Sequence, residues 1–152
     1  MSVIDIVSSN TYSSYPAKVG DEQPSLARRL ITGAQLLAAG VSTDTFKILK
    51  VRKGQLVREV QTIVLDADAQ AITLDVGYID DNGSSATAFE TDAALNALGV
   101  TISADDSLVM SSDGFITITP SNTIESATKI LVVALIEDYS NTLRDTTLAA
   151  AV

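Results

Sequence analysis

Residues 71–79, AITLDVGYI, decide the fold class of this chain. Large apolar side chains fall on every second position of the segment, and small or polar residues fill most of the positions between them. A period of two residues is typical of a β-strand that has one buried and one exposed face. The segment therefore predicts a half-buried strand whose core face carries Ile72, Leu74, Val76 and Tyr78.

Runs rich in β-branched residues lie on both sides of this strand. The segments 44–51 (DTFKILKV) and 56–65 (LVREVQTIVL) flank a turn at Gly54, and this arrangement predicts a β-hairpin. Short strands are also expected in VTIS, SLVM and FITITP. The segment 129–139 (KILVVALIEDY) is apolar on both faces over its first half, which is typical of a central strand buried on both sides.

Three segments are harder to assign. Residues 26–40 (LARRLITGAQLLAAG) carry a helical stripe that Gly33 interrupts, and we favour a strand. Residues 80–90 (DDNGSSATAFE) are typical of a polar loop. Residues 91–99 (TDAALNALG) combine a candidate N-cap at Thr91 or Asp92 with good helix formers, so they predict one short helix.

This order of segments predicts an all-β fold, either an antiparallel β-sandwich or a jelly-roll-like barrel, with one short helix and an extended N-terminal arm. A parallel sheet is disfavoured because it needs crossover helices, and only one helix is expected. We divide the chain into an N-terminal arm (1–25), a sandwich domain (26–140) and a C-terminal tail (141–152).

Composition excludes several classes of function. The chain of 152 residues contains neither cysteine nor histidine, so disulfides, thiolate or imidazole metal sites and Ser-His-Asp chemistry are impossible. Its net charge of −9 disfavours nucleic-acid binding. No apolar run approaches the roughly 20 residues that span a bilayer, so we expect no membrane partner. We assign no catalytic residue, no cofactor and no metal ligand.

Two groups of residues are candidates for a protein interface. Basic residues crowd into one short stretch, whereas none occurs between Glu59 and Thr128. Apolar side chains are scattered along the arm, where they offer surface to a neighbouring subunit. The alternative interpretations are a solvated strand edge for the basic stretch and simple disorder for the arm. The candidate interface residues are Ile4, Ile6, Val7, Tyr12, Tyr15, Lys47, Lys50, Arg52, Lys53 and Arg58.

Aspartates are the remaining candidates for chemistry. Asp66 and Asp68 lie in one expected loop, and Asp80, Asp81 and Asn82 follow a strand. Carboxylate and amide oxygens suit Ca²⁺, but the spacing does not fit an EF-hand loop. We therefore favour solvated turn residues over a calcium site or the paired carboxylates of a glycosidase.

The chain resembles a known group of proteins over about two-thirds of its length. The residues that carry the resemblance are TFKILKVRKGQLVREVQTIVL, AITLDVGYIDD, ETDAALNALGV and GFITITPSNTIESATKILVVALIEDYS. In these patterns the chain is similar to the head decoration, or cement, proteins of tailed bacteriophages. The resemblance implies a β-sandwich, often a trimer, that sits on the outside of a capsid and strengthens it.

The leading hypothesis is therefore a capsid decoration subunit without enzymatic activity. Its partners are expected to be the major capsid protein lattice and further copies of itself, with a trimer favoured. We expect it to be made in the host cytoplasm and to reside on the capsid surface of the virion. The alternatives are a head-fibre, tail or baseplate component, a carbohydrate- or calcium-binding adhesion module, and a hydrolase that uses aspartates.

Overall fold

A computed structural model describes residues 3–5, 25–40, 44–103 and 107–138 of the chain. These residues form strands and one short helix. In chain order the elements are β1 (Val3–Asp5), β2 (Ser25–Thr32), α1 (Gly33–Ala39), β3 (Thr45–Val51), β4 (Gln55–Asp66), β5 (Thr73–Asp80), β6 (Gly83–Ala94), β7 (Gly99–Ile102), β8 (Leu108–Val109), β9 (Gly114–Pro120) and β10 (Lys129–Asp138).

The strands form two sheets that pack face to face. Sheet A has the order β1-β3-β9-β5-β6, and sheet B has the order β2-β10-β4-β7, with β8 also paired to β4. All pairings are antiparallel except that of β1 with β3. The sheets do not close on each other. The predicted all-β sandwich is thus confirmed, and the barrel alternative is not needed.

The core lies between the inner faces of the two sheets. In β5 the alternation read from the sequence is confirmed, because Leu74 and Val76 are fully buried while Thr73 and Asp75 are partly exposed. The same alternation in β10 buries Ile130, Val132, Ala134 and Ile136. Removing these apolar side chains from water, at roughly 25 cal/mol per Å², is the main force that holds the sheets together.

The predicted hairpin at Gly54 is wrong. A turn does occur there, since Gly54 has a left-handed φ of 82° and its N–H donates to the carbonyl oxygen of Met110 at 2.9 Å. However, β3 pairs with β9 in sheet A, and β4 pairs with β10 in sheet B. The turn is therefore an arch between sheets. It forms because both strands bury apolar residues that face each other across the core.

The helix lies at a different place from the one predicted. Residues 33–39 form α1, which begins with a capping box in which Thr32 and Gln35 satisfy each other's backbone N–H groups. Residues 91–94 instead complete β6. Asp92 has a φ of 54°, which is incompatible with the extended backbone of an N-cap, and its N–H donates to the Asp75 carboxylate at 2.9 Å.

Residues 80–90 are mostly strand and not the predicted loop. The turn is confined to residues 80–83, where the Asp80 carboxylate accepts hydrogen bonds from the N–H groups of Asn82 and Gly83, both at 2.8 Å. Strand β6 is polar because it is the edge of sheet A and stays largely exposed. It pairs with β5 and approaches it closely at Gly77, where a Cβ atom would lie 1.9 Å from the Ser85 carbonyl oxygen.

Two further expectations are corrected in part. Strand β10 is central, between β2 and β4, but only its inner face is fully buried. Residues 3–5, assigned to the arm, pair with β3 as β1 and so belong to sheet A. The rest of the arm, residues 6–24, and the tail lie outside the described residues. No helix within the described part of the chain is long and apolar enough to cross a membrane.

Candidate interaction surfaces

The basic stretch does not form one patch. Lys47 and Lys50 lie on β3, where a bulge at Ile48 places both side chains on the outer face of sheet A. Their ammonium nitrogens lie 4.6 and 5.9 Å from the centre of the Phe115 ring on the neighbouring strand β9. Both distances are within the range of a cation–π contact. Lys47, Lys50 and Phe115 therefore form a small basic and aromatic surface, which we call the lysine pair surface.

The other basic candidates lie outside β3. Arg52 and Lys53 are exposed in the arch, where the N–H of Lys53 donates to the Asp113 carboxylate at 2.9 Å. Arg58 is the extra residue of a bulge in β4, and its guanidinium pairs with Glu137 at 3.1 Å. Arg58 therefore lies in the other sheet from the lysine pair surface, and acidic groups lie close to Lys53 and Arg58.

The arm candidates have different placements. Ile4 lies in β1, opposite Phe46 of β3, and its partly buried side chain packs against the chain's own core. That contact accounts for its apolar character without a neighbouring subunit. Ile6, Val7, Tyr12 and Tyr15 lie outside the described residues, so their role in an interface remains a prediction.

The aspartates hold loops together. Asp68 is buried, and its carboxylate accepts hydrogen bonds from Gln70 N–H (2.9 Å), Glu125 N–H (2.8 Å) and the Thr128 hydroxyl (3.0 Å). Asp66, by contrast, is exposed and pairs with Lys129 at 3.3 Å. No group of three acidic residues suited to a metal ion occurs in the described ranges. Local turn hydrogen bonds account for Asp80. Asp68 was expected to be a solvated turn residue, and this expectation is wrong, because it is buried and joins two loops that are distant in the sequence.

A second surface, which the sequence did not reveal, is the outer face of sheet B. The pairing registers align its outward side chains in three rows that run across the strands. The first row is wholly apolar and contains Leu30, Leu131, Ile63 and Val100. Leu30 is 49% exposed and Val100 is 56% exposed, so the row is open to solvent.

The other two rows extend this surface. The second contains Arg28, Val133, Gln61 and Ile102, and the third contains Leu26, Leu135 and Glu59. An exposed, contiguous apolar area of this kind marks an interaction site in soluble proteins. Its apolar residues, which we call the apolar face, are Leu26, Leu30, Ile63, Val100, Ile102, Leu131, Val133 and Leu135.

One buried acid lies between the sheets. Glu90 of β6 stands opposite Val76 and points into the core, where the hydroxyl of Thr62 on β4 donates to its Oε2 at 2.5 Å. Its Oε1 is buried and has no hydrogen-bond partner among the described residues. Desolvation by burial raises the pKa of Glu90 from 4.5 to about 7, against the opposing effect of the Thr62 hydrogen bonds.

Comparison with known proteins gives a match in structure only. No protein-family model matches the sequence, and no curated protein matches it significantly. A chain in the capsid of Ralstonia phage GP4 superposes with a TM-score of 0.57 at 18% identity, covering 84% of this chain and 90% of that one. A chain in the cyanophage Pam1 capsid asymmetric unit gives 0.56 at 20% identity, covering 85% and 94%.

A third match comes from the acidic stable capsid structure of Helicobacter pylori bacteriophage KHP30. Its TM-score is 0.55 at 15% identity, covering 75% of this chain and 86% of that one. This chain therefore shares its fold with chains of three phage capsids. Because high fractions of both chains are covered in each case, the matched chains are of about the same size as this one.

Proposed function

We propose that this protein is a structural component of a phage virion, and specifically a decoration subunit that binds the outer face of the assembled head. The observation that carries the proposal is the fold shared, over most of both chains, with small chains in three phage capsids. The pattern of residues described above points to the same class of protein independently of those structures.

Adhesion is sufficient for this function. A subunit that binds only the assembled lattice stabilises it by mass action, and many copies on one shell add multivalency. No bond needs to be made or broken, and we propose that the protein has no enzymatic activity. Within the described residues Asp68 and Asp80 hold loops and turns together and Glu90 lies in the core, which fits a binding protein.

We propose that the lysine pair surface contacts the major capsid protein lattice through acidic groups of that lattice. The bulge in β3 and the Phe115 ring hold both ammonium groups on one outward face of sheet A. On a chain with a net charge of −9, such a local cationic site sets the orientation in which an acidic partner is approached. A homo-oligomer, with a trimer favoured by the resemblance, would multiply each contact.

The test is binding of the purified protein to expanded heads that lack it. We expect saturable binding and a higher melting temperature of the heads. The double variant Lys47→Glu, Lys50→Glu should bind at least about 10-fold more weakly, because both attractive charges become repulsive. Lys129→Glu is the matched control, since Lys129 lies on β10 in the other sheet and its exposed ion pair contributes little to stability.

Three results would contradict the proposal or the contact surface that it names. Absence of binding to any head lattice would exclude a decoration role, and electron microscopy of whole particles would then show whether the protein lies in a fibre, tail or baseplate. Saturable binding of a saccharide or of calcium by the pure protein would favour the adhesion module instead. Loss of head binding in the Lys129→Glu control would show that the lysine pair surface is not the specific contact.

A further inference from the structure

Two charged residues lie in the same rows as the apolar face, and they indicate a partner for it. The second row of the outer face of sheet B contains Arg28 on β2, and the third row contains Glu59 on β4. Arg28 is exposed and makes no ion pair within the described residues. The two residues are two strands and one row apart, about 12 Å at the usual spacings of a sheet, and no ion pair joins them within the described residues.

We propose that the apolar face binds a second copy of this chain, with Arg28 of one copy against Glu59 of the other. The face is self-complementary, because its β2 side carries the cation and its β4 side carries the anion. Such a surface fits a copy of itself in a two-fold pair, in which both copies bury the same patch. In a closed ring of three, the β2 side of each copy would instead meet the β4 side of the next, so that Arg28 and Glu59 still face each other.

The net charge of the chain also favours a second copy as the partner of the apolar face. Two copies that each carry −9 repel each other over most of their surfaces. The three rows bear one positive and one negative side chain and are otherwise uncharged. Copies can therefore meet here without net repulsion, and apolar burial supplies the attraction.

The size of the face sets the expected strength of association. Four strands about 4.8 Å apart and three rows about 6.8 Å apart cover roughly 400 Å² in plan. A stable interface takes about 800 Å² from each partner. We therefore expect association in the micromolar range, measured as a rise in mass with concentration from the 15.9 kDa of one chain.

Sedimentation velocity of the full chain, from about 1 to 500 μM, tests the proposal together with two charged variants. Leu30→Lys and Val100→Lys should each weaken self-association about 100-fold, because each places an ammonium group in a row that is otherwise apolar. Leu37→Lys is the matched control, since Leu37 on α1 is 44% exposed against 49% for Leu30 and lies outside the three rows. It should associate like the unmodified protein.

Charge reversal tests the contact between copies directly. Arg28→Glu and Glu59→Arg should each weaken association, and the double variant should restore it, because the two residues then exchange roles across the interface. A loss of folding cannot imitate this rescue, and the far-ultraviolet circular dichroism of every variant confirms the fold.

Three outcomes would overturn the inference: a monomer throughout the concentration range, unaltered association of Leu30→Lys, or no rescue in the double reversal. Reduced head binding by Leu30→Lys with a monomeric unmodified protein would assign the face to the capsid instead. The self-association measurement needs no capsid, so it stands or falls separately from the decoration function.

Discussion

Replacing Asp68 with alanine is expected to lower the free energy of unfolding by about 3 to 5 kcal/mol, because it removes one member of a buried polar network. The carboxylate accepts three hydrogen bonds, two of which come from residues 125 and 128, about sixty positions further along the chain. It joins the loop after β4 to the loop before β10. Alanine leaves all three donors without this acceptor, and the hydroxyl of Thr128 is fully buried, so water cannot replace the lost hydrogen bond there.

Urea unfolding measures this effect, and two variants serve as controls. Asp68→Asn keeps one carbonyl oxygen as an acceptor and should lose less stability than alanine. Asp66→Ala removes a neighbouring carboxylate whose only described ion pair is exposed, so it should cost under about 1 kcal/mol. Equal losses for Asp66→Ala and Asp68→Ala would show that the network around Asp68 is not what holds the two loops.

Stability is expected to fall as the pH rises through neutrality, and Glu90 is the cause. Its pKa is about 7 in the folded chain against 4.5 when exposed, so the folded state binds the proton more tightly than the unfolded state does. The stabilisation is complete below pH 4.5 and is lost as the pH passes 7. Its full size is about 3 kcal/mol, since a pKa difference of one corresponds to about 1.4 kcal/mol.

The variant Glu90→Gln separates this contribution from those of the other acidic residues. Glutamine has a similar shape, keeps an acceptor for the Thr62 hydroxyl and cannot ionise. We expect equal stability of the two proteins near pH 4.5 and a more stable variant at pH 8, from urea unfolding at each pH. A constant difference between the two proteins across this range would show that Glu90 does not titrate there.

Strands with one buried face were predictable from the sequence because their period of two is independent of their partners. Residues 91–94 were not, since their helix propensity is overridden by pairing with β5, where Thr73 and Leu74 stand opposite Ala94 and Ala93. The true helix did carry a local indication. The pattern from Thr32 to Gln35 is a capping box, but Gly33 between them suggested an interruption.

The candidate surfaces show a different limit of sequence reasoning. Charge clustering located Lys47 and Lys50, yet only the bulge at Ile48 shows that they share a face. Leu131, Val133 and Leu135 suggested burial on both sides of β10. A sequence shows that a side chain is apolar, but it does not show whether that side chain is covered by its own chain or by another subunit. The apolar face could therefore not be predicted without the registers that pair β10 with β2 and β4, and β4 with β7.

The position of β10 has a consequence for synthesis on the ribosome. It is the last described strand, yet it lies between β2 and β4, whose last residues precede its first residue by 97 and 63 positions. Strand β2 therefore cannot join sheet B until β10 has been made and has left the ribosome.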